Sequence, residues 1–392
     1  MDSTEPTLGN STTEPAIGTR SEAFKLPARP WTQLRSSEIY WYNRRDWLKA
    51  KGYVLRARYQ EAWTPSWPED TPFHKRYEDA QIHPRVGPVM DATRTSDGAF
   101  VLMKRINKMV HPFEVDIAAW LSAEPQRSDP ENHCVPIYEV LQMPDDPNVQ
   151  IIVMPLLTEY DKPHFDTIGE AVSFFRQTFE GVRYLHRQNI AHRDCTNLNI
   201  MMDASPIVTA PFHPVQTWMK RDYTGKLRTL SRTQHPVKYY LTDFGLSVKY
   251  RPEDRPPLET PVLGADKSVP EFQTASRDDE PPDGDPFPVD VYYLGNLIRL
   301  YFTKGHDFHR RRPGFEFLEP LAADMVNADP ALRPSMDEVV ERFEEIVRGL
   351  SSWKLRSRAA KKPEHFGFIR SISHWIRRIQ LIVGRYPPIP MP

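Results

Sequence analysis

The sequence has few cysteines, no long apolar run and almost no net charge, and each of these limits what the protein can be. Only Cys134 and Cys195 occur among 392 residues, which excludes a disulfide framework and a four-cysteine zinc site. No stretch reaches the roughly 18 apolar residues that a bilayer-spanning helix needs. The opening MDSTEPTLGN lacks the basic head and apolar core of a secretory signal. We therefore expect an intracellular protein, cytoplasmic or nuclear, without a transmembrane segment.

The bulk composition is that of a soluble globular protein. Hydrophobic residues make up 39% and charged residues 26%, and the formal net charge of −1 gives no global field that would attract nucleic acid or a membrane. The 39 prolines are about twice the usual share, which predicts long irregular segments. A chain of this length suffices for one to three domains.

The N-terminal part divides into two segments of different composition. Residues 1–30 are rich in Ser, Thr and Pro and are predicted to be a disordered tail. Residues 31–74 form an aromatic and basic extension, in which SSEIYWYNRRDWLKAKGY predicts a helix that begins at Ser36 or Ser37 and ends at Gly52. Aromatic residues among arginines can stack on nucleic acid. The helical spacing favours packing onto a domain instead, and we expect no nucleic-acid partner.

Strand patterns come first in the remaining chain, and helical patterns follow. Two β-type runs flank Ser96-Asp97-Gly98, which predicts a hairpin. FEVDIAAWLS has helical periodicity, and CVPIYEVLQM and VQIIVMPLL predict two more strands. Helices dominate after residue 166. This order indicates an α+β chain in two lobes.

Two further segments stand apart in composition. Residues 204–238, rich in Pro and Arg, and the acidic residues 277–288 are predicted to be surface loops. Residues 348–392 form a basic C-terminal tail, and its segment 366–385 mixes apolar and basic positions. We expect a helix packed on the domain with a basic solvated side. The alternative is peripheral contact of this segment with a membrane surface, or with a partner.

The segment IAHRDCTNLNIMMD carries the most informative motif, with Asp194 five residues before Asn199. A DFG triplet that begins at Asp243 follows the apolar strand KYYLT. Upstream, Lys104 ends FVLMK on a predicted strand, and Glu114 lies ten residues later at the start of a predicted helix. Each motif is weak alone, but their order and spacing together are informative.

With these motifs the chain resembles the eukaryotic protein-kinase-like superfamily over roughly residues 75–347. More narrowly it is similar to a kinase-like group of mushroom-forming fungi, through the phrases GYVLRARY, NHCVPI, AHRDC and KYYLTDFGLS. The resemblance implies a two-lobed protein-kinase-like fold. A small β-rich N-lobe would span residues 75–157, and a larger helical C-lobe, with the insertion at 204–238, would span residues 158–347.

The resemblance also implies ATP and Mg²⁺ as cofactors and assigns a role to each motif residue. Asp194 would accept or orient the proton of the substrate hydroxyl, while Asn199 and Asp243 would hold magnesium. His192 would be a buried packing residue rather than a general base. Three residues match structural positions of the family: Glu271, Arg333 and Asp290.

Lys104 would bind the α and β phosphates of ATP while paired with a carboxylate. Glu114 and Asp116 are both possible partners. Glu114 is favoured because Leu121 then falls where the family keeps a core leucine.

The predicted nucleotide site departs from the family pattern. The phosphate-covering loop should read G-x-G-x-x-G-x-V, but Ile82 and Pro84 replace the first two glycines, and proline has no N–H for a phosphate. Leu102 replaces the alanine that usually roofs the adenine, so the slot is expected to be narrow. The predicted nucleotide-contacting residues are Gly87, Val89, Leu102, Lys104, Leu157 and Met201.

Thr196 stands where a phosphate-binding lysine is often found. The insertion carries several cations that could supply this charge in the manner of an arginine finger, or could simply be solvated. These cations are Lys220, Arg221, Lys226, Arg228, Arg232 and Lys238.

Because Asp194 and Asp243 are both retained, the sequence predicts an ATP- and magnesium-dependent protein kinase that acts on Ser or Thr hydroxyls. Two alternatives stay open: a pseudokinase scaffold that binds protein partners, and a kinase-fold phosphotransferase that acts on a small molecule. The expected partner is a protein substrate or another protein. The sequence leaves the oligomeric state undetermined.

Overall fold

The computed structural model describes residues 33–68, 76–83, 87–262, 264–273, 281–305, 311–359 and 367–392, with side chains described from residue 374 onward in the last range. The predicted tail at 1–30, Pro84 of the predicted phosphate loop and residues 277–280 of the acidic segment lie outside these residues. Within them, the chain is an α+β protein with an antiparallel sheet followed by helices. No helix in these ranges combines the length and apolar character needed to cross a membrane.

Five strands from the first part of the chain form one antiparallel sheet. They are β1 (Tyr53–Val54), β2 (Val89–Arg94), β3 (Phe100–Asn107), β4 (Glu139–Gln142) and β5 (Val149–Pro155). Their order is β1-β2-β3-β5-β4, which puts β3 at the centre. The predicted hairpin is confirmed: Val89 lies opposite Lys104, and Gly98 takes the left-handed φ of 73° that glycine readily adopts.

The aromatic extension folds as two short helices, α1 (Ser36–Tyr42) and α2 (Arg45–Ala50), followed by β1. The prediction of one continuous helix ending at Gly52 is therefore wrong. The chain turns between the two helices, and this turn lets Trp41 and Leu48 both reach the same apolar cluster, where neither side chain is exposed.

The extension is joined to the sheet itself. β1 pairs with β2, with Tyr53 opposite Arg94, and Trp41 packs in one cluster with Met90 and Met103 of the sheet. This agrees with the predicted packing onto a domain. The boundary placed between residues 74 and 75 stays a prediction.

The rest of the chain is mainly helical, with short strands near the predicted catalytic loop. The helices are α3 (Glu114–Ser122), α4 (Ile168–Arg187), α5 (Pro286–Ile298), α6 (Glu319–Met325), α7 (Met336–Arg348), α8 (Ser352–Leu355) and α9 (Gly367–Val383). The strands are β6 (Thr158–Glu159), β7 (Ile190–Ala191), β8 (Ile200–Met202), β9 (Tyr239–Leu241) and β10 (Val248–Lys249). This arrangement is compatible with the predicted two-lobed fold.

The helix α9 differs from its prediction in which side faces solvent. Arg378 is buried, with its guanidinium 3.4 Å from the centre of the Trp353 ring, and donates a hydrogen bond to the Trp353 carbonyl. Ile379, the next residue, is 57% exposed. The expected basic solvated side is thus wrong at Arg378, because stacking on Trp353 holds this arginine against the protein, whereas Arg377 is exposed as expected.

Candidate active site

Lys104 lies between two carboxylates that come from distant parts of the chain. Its ammonium pairs with Glu114 at the start of α3 and lies 2.6 Å from the Asp243 carboxylate. Asp116 is not the partner. The central strand β3 carries the lysine, and α3 presents Glu114 from its first turn, so the contact joins the sheet, a helix and the DFG triplet.

The charges of this cluster favour an ionised lysine. Burial by itself lowers the pKa of Lys104, but Glu114 and Asp243 outweigh burial and raise it. Burial conversely raises the pKa of Asp243, and the Lys104 charge brings it below the usual range. A fixed cation beside an ionised carboxylate is an arrangement suited to phosphate and a hard metal ion.

Asn199 and Asp243 come close because of the strand pairing around them. Asn199 directly precedes β8, and Asp243 lies two residues after β9. These strands are antiparallel with Ile200 opposite Leu241, and the Thr242 amide donates to the Asn199 carbonyl at 2.8 Å. Both side chains therefore stand at the same end of the strand pair.

Asp194 is held by two donors, one on each carboxylate oxygen. Asn199 Nδ2 donates to Oδ2 at 2.7 Å, and the Ala265 amide donates to Oδ1 at 2.8 Å. Burial raises the pKa of Asp194, although both hydrogen bonds oppose the shift. A carboxylate with a raised pKa is better suited to proton transfer than an ordinary aspartate.

Asp290 on α5 fixes the loop that carries Asp194 by hydrogen bonds to its backbone. The fully buried Asp290 carboxylate accepts hydrogen bonds from the amides of His192 and Arg193, each at 2.8 Å, and from His186 at 3.0 Å. Arg193 has a left-handed φ of 65°, which is unfavourable for a residue with a side chain. The buried carboxylate holds the loop in this conformation. His192 is itself buried, and its ring lies 5.3 Å from that of Phe244.

Two ion pairs anchor the segment that follows the DFG triplet. Arg333 donates to both Glu271 oxygens, at 2.7 and 2.5 Å, which is the pair that the family resemblance implies. Arg193 pairs with Glu259 at 3.1 Å, and the Tyr250 hydroxyl donates to the same carboxylate. No motif in the sequence marks Glu259, so this ion pair was not predicted.

Two glycines allow this segment to approach the carboxylates closely. A Cβ on Gly264 would lie 2.7 Å from both Asp194 Oδ1 and Tyr293 Oη, closer than real Cβ contacts. A Cβ on Gly245 would lie 3.1 Å from the Asp243 carboxylate and 3.3 Å from Glu114. Only a residue without a side chain fits at Gly264, and its neighbour Ala265 thereby reaches Asp194.

A cavity of about 400 Å³ is lined in part by Ala265, the residue whose amide donates to Asp194. It lies between the loop that carries Asp194, the Ala265 segment and α5, and its lining includes Thr196, Tyr293 and Tyr301. The hydroxyls of Thr196 and Tyr293 are buried and have no hydrogen-bond partner among the described residues. A pocket with two unused hydroxyls can accept polar groups of a bound molecule.

The predicted nucleotide-contacting residues lie where the sheet meets the helical part. Leu102 and Met201 are half-buried and pack against the same apolar cluster as the buried Leu157. Val89 lies opposite Lys104 on the neighbouring strand. Gly87 has a φ of 134°, and its carbonyl accepts a hydrogen bond from the Trp41 indole at 3.2 Å. The extension therefore anchors the end of the predicted phosphate loop, a contact that sequence analysis did not foresee.

Part of the insertion at 204–238 is bound to the sheet rather than free in solvent. Arg221 donates to Asp91 at 2.9 Å and stacks on the Phe100 ring at 4.2 Å. Arg232 is buried and donates to the Tyr239 hydroxyl at 3.1 Å. The prediction of a surface loop is wrong at these two arginines. Both are held by other parts of the protein, so neither is placed to supply the positive charge that is missing at Thr196.

The side chains of Asn199 and Asp243 offer the type of ligand atom that magnesium prefers. The hydrogen bonds that Asp243 accepts from described residues use Oδ1, and Asn199 donates through Nδ2, so one oxygen of each side chain is left for a ligand. Magnesium prefers such oxygen ligands and commonly binds through one or two side chains together with substrate phosphates. The described residues contain no group of three or more His, Cys, Asp or Glu arranged for a metal. Asn199 and Asp243 are the residues that would hold such an ion.

Comparison with known proteins supports a relationship to protein kinases. No protein-family model matches the chain. The serine/threonine-protein kinase CAK1 of Saccharomyces cerevisiae is 27% identical over 119 residues, a stretch that covers 30% of this chain and 30% of that protein. The chain therefore spans less than a third of the length of this curated relative. The narrower likeness to the fungal group stays a prediction.

Proposed function

We propose that the protein is an ATP- and magnesium-dependent protein kinase that transfers phosphate to Ser or Thr hydroxyls, with a two-lobed kinase fold. The observation that carries this proposal is the position of Lys104 between Glu114 and Asp243. Phosphoryl transfer requires little covalent chemistry from the protein and depends on positioning and charge neutralisation. A paired lysine and an ionised aspartate supply both.

In this proposal four residues of the site have parts in the reaction. Lys104 would bind the phosphates, and Asn199 and Asp243 would hold Mg²⁺, which neutralises charge on the phosphates when bound. Asp194 would orient the acceptor hydroxyl and take its proton. The cavity lined by Thr196 and Ala265 offers space for the acceptor residue, and the likeness to a yeast serine/threonine-protein kinase supports a Ser or Thr acceptor.

The test is phosphate transfer from γ-labelled ATP to a library of Ser-, Thr- and Tyr-containing peptides. We expect labelling of Ser or Thr peptides, with a loss of several orders of magnitude in Asp194→Asn and Asp243→Asn at unchanged melting temperature. The control is Asp337→Asn, at an exposed carboxylate that pairs with Arg187 on the surface. Equal turnover in wild type and both active-site variants would refute the proposal.

A pseudokinase scaffold is the second candidate, and two observations favour it. Thr196 places no positive charge beside Asp194, and the Ala265 amide already occupies Asp194 Oδ1. A thermal-shift titration separates the candidates. Stabilisation by ATP that requires Mg²⁺, together with peptide labelling, indicates the kinase. The absence of both indicates the scaffold.

A further inference from the structure

The helix α9 exposes an apolar face. Five described side chains recur at the spacing of one helical face, and each is at least 47% exposed. They are Trp375, Ile376, Ile379, Ile382 and Val383. Together with the adjacent Trp353, which is 58% exposed, they form what we call the α9 patch.

The α9 patch is a consequence of how the helix packs. Leu381 and Arg378 face the protein and are buried, while His374 is half-buried and contacts the Arg356 carbonyl. The residues on the opposite side of the helix, which include the α9 residues of the patch, therefore face outward. A soluble protein seldom leaves so many large apolar side chains together in water unless they meet a partner.

Two tryptophans lie side by side at one end of the patch. The rings of Trp353 and Trp375 are 5.4 Å apart, and Arg378 lies against both, 3.4 and 5.1 Å from their centres. Tryptophan combines an apolar ring with an N–H donor, and it is enriched where a protein meets the boundary between lipid and water.

The charge of the C-terminal segment indicates what kind of surface would cover the α9 patch. From residue 351 to the end, the chain has nine Lys or Arg and one Glu. Arg377 is paired with Asp166, but Arg385 is exposed at the end of the helix beside Val383. An apolar helical face in a basic C-terminal segment, with an exposed arginine at its end, is complementary to an anionic lipid surface.

We propose that the α9 patch binds the surface of bilayers containing anionic phospholipids, with α9 lying in the plane of the interface. The apolar side chains would enter the boundary between headgroups and acyl chains, and Arg385 would contact lipid phosphates. This proposal is independent of the proposed catalytic function, because it uses none of the residues around Asp194.

The test is co-sedimentation of the full chain with vesicles of phosphatidylcholine, with and without phosphatidylserine. We expect binding to the vesicles that contain phosphatidylserine, weaker binding to the others, and further weakening by added salt. Ile379→Glu should reduce partitioning about a hundredfold, because it removes one buried apolar side chain and adds a charge to the interface. Arg385→Gln should reduce it about fivefold, and only on the anionic vesicles.

The matched control is Leu332→Glu, which places the same charge at a 65% exposed leucine outside the patch and should leave binding unchanged. If Ile379→Glu lowers the melting temperature, Val383→Glu at the 77% exposed end of the patch replaces it. Failure to bind either vesicle, or equal binding by wild type and the patch variants, would overturn the proposal. A lipid-free dimer that Ile379→Glu dissociates would assign the face to a second copy and overturn it as well.

Discussion

Arg221 donates a hydrogen bond of 2.9 Å to Asp91, a residue 130 positions earlier in the chain. Asp91 is buried on β2 and accepts a second hydrogen bond from Arg56 of the extension, at 3.0 Å. One carboxylate therefore ties the insertion, the sheet and the extension together. Breaking such a buried contact leaves polar groups without partners, so its loss is expected to cost stability.

We expect Arg221→Gln to lower the free energy of unfolding by about 1–3 kcal/mol, because Asp91 then keeps only Arg56. The rate of phosphate transfer at saturating ATP should not change, since the Arg221 charge is engaged at the sheet. Urea unfolding and steady-state kinetics measure the two quantities. Lys226→Gln, at an exposed position in the same insertion, is the control. A lower rate with unchanged stability would instead show that Arg221 supplies the positive charge that is missing at Thr196.

Leu102→Ala tests whether this side chain narrows the nucleotide slot. We expect tighter ATP binding in a titration calorimeter, at a stability cost of about 2 kcal/mol, because Leu102 is only half-buried. The control is Val101→Ala, which removes a fully buried side chain that packs in the cluster of the extension. It should destabilise the fold and leave ATP affinity unchanged. Weaker ATP binding by a folded Leu102→Ala protein would show that the leucine supports the pocket.

Gly264→Ala tests the close approach to Asp194. The new methyl group would lie 2.7 Å from both Asp194 Oδ1 and Tyr293 Oη, so either the segment or the carboxylate must move. We expect the turnover number to fall by about a hundredfold, because small displacements of reacting groups are costly. Gly225→Ala is the control, since its Cβ would meet nothing within 4 Å. Normal turnover in Gly264→Ala would mean that this approach has no part in catalysis.

Asp290→Asn should destabilise the protein in a pH-dependent way. Burial alone raises the pKa of Asp290, but His186 and His192, through its ring and its amide, bring it below the usual range. Because the pKa of Asp290 is lower in the folded protein than in the unfolded chain, its ionised carboxylate stabilises the fold at pH values above the ordinary aspartate pKa. This contribution is lost as the pH falls through the folded-state pKa. We therefore expect a loss of about 2–4 kcal/mol near neutral pH that shrinks in acid.

Chemical unfolding of wild type and Asp290→Asn across the acid range measures this difference. Asp337→Asn, at a 60% exposed carboxylate, should change stability by less than about 1 kcal/mol. A destabilisation of Asp290→Asn that is constant from neutral to acid pH would show that the lost contact is not carried by the ionised carboxylate.

The elements that depend on nearby residues could be predicted from the sequence. The hairpin at Gly98, the start of α3 at Glu114 and the strand before the DFG triplet follow local periodicity and turn chemistry. The Asp194–Asn199 contact joins residues five positions apart and is local too. The choice of Glu114 over Asp116 came from family spacing, because helical periodicity alone cannot say which carboxylate faces the sheet.

Contacts between segments that are far apart in the sequence could not be predicted, because they depend on which surfaces meet in the folded protein. No pattern indicated that Trp41 would bind the Gly87 carbonyl or that Glu259 would pair with Arg193, since each contact joins segments 46 or 66 residues apart. The break between α1 and α2 was missed for a related reason. The helical pattern is continuous in the sequence, and packing of Trp41 and Leu48 into one cluster overrides it.

The sequence by itself determined which residues carry charge and hydroxyl chemistry and in what order they occur. It also determined the local helices and strands, because short-range backbone preferences act between neighbouring residues. The tertiary structure alone decided their partners: Lys104 with Asp243, Arg221 with Asp91, and Arg378 with Trp353. It also decided that α9 turns Ile376, Ile379 and Ile382 to the outside, because an amphipathic helix has two faces and only the surface against which it packs selects between them.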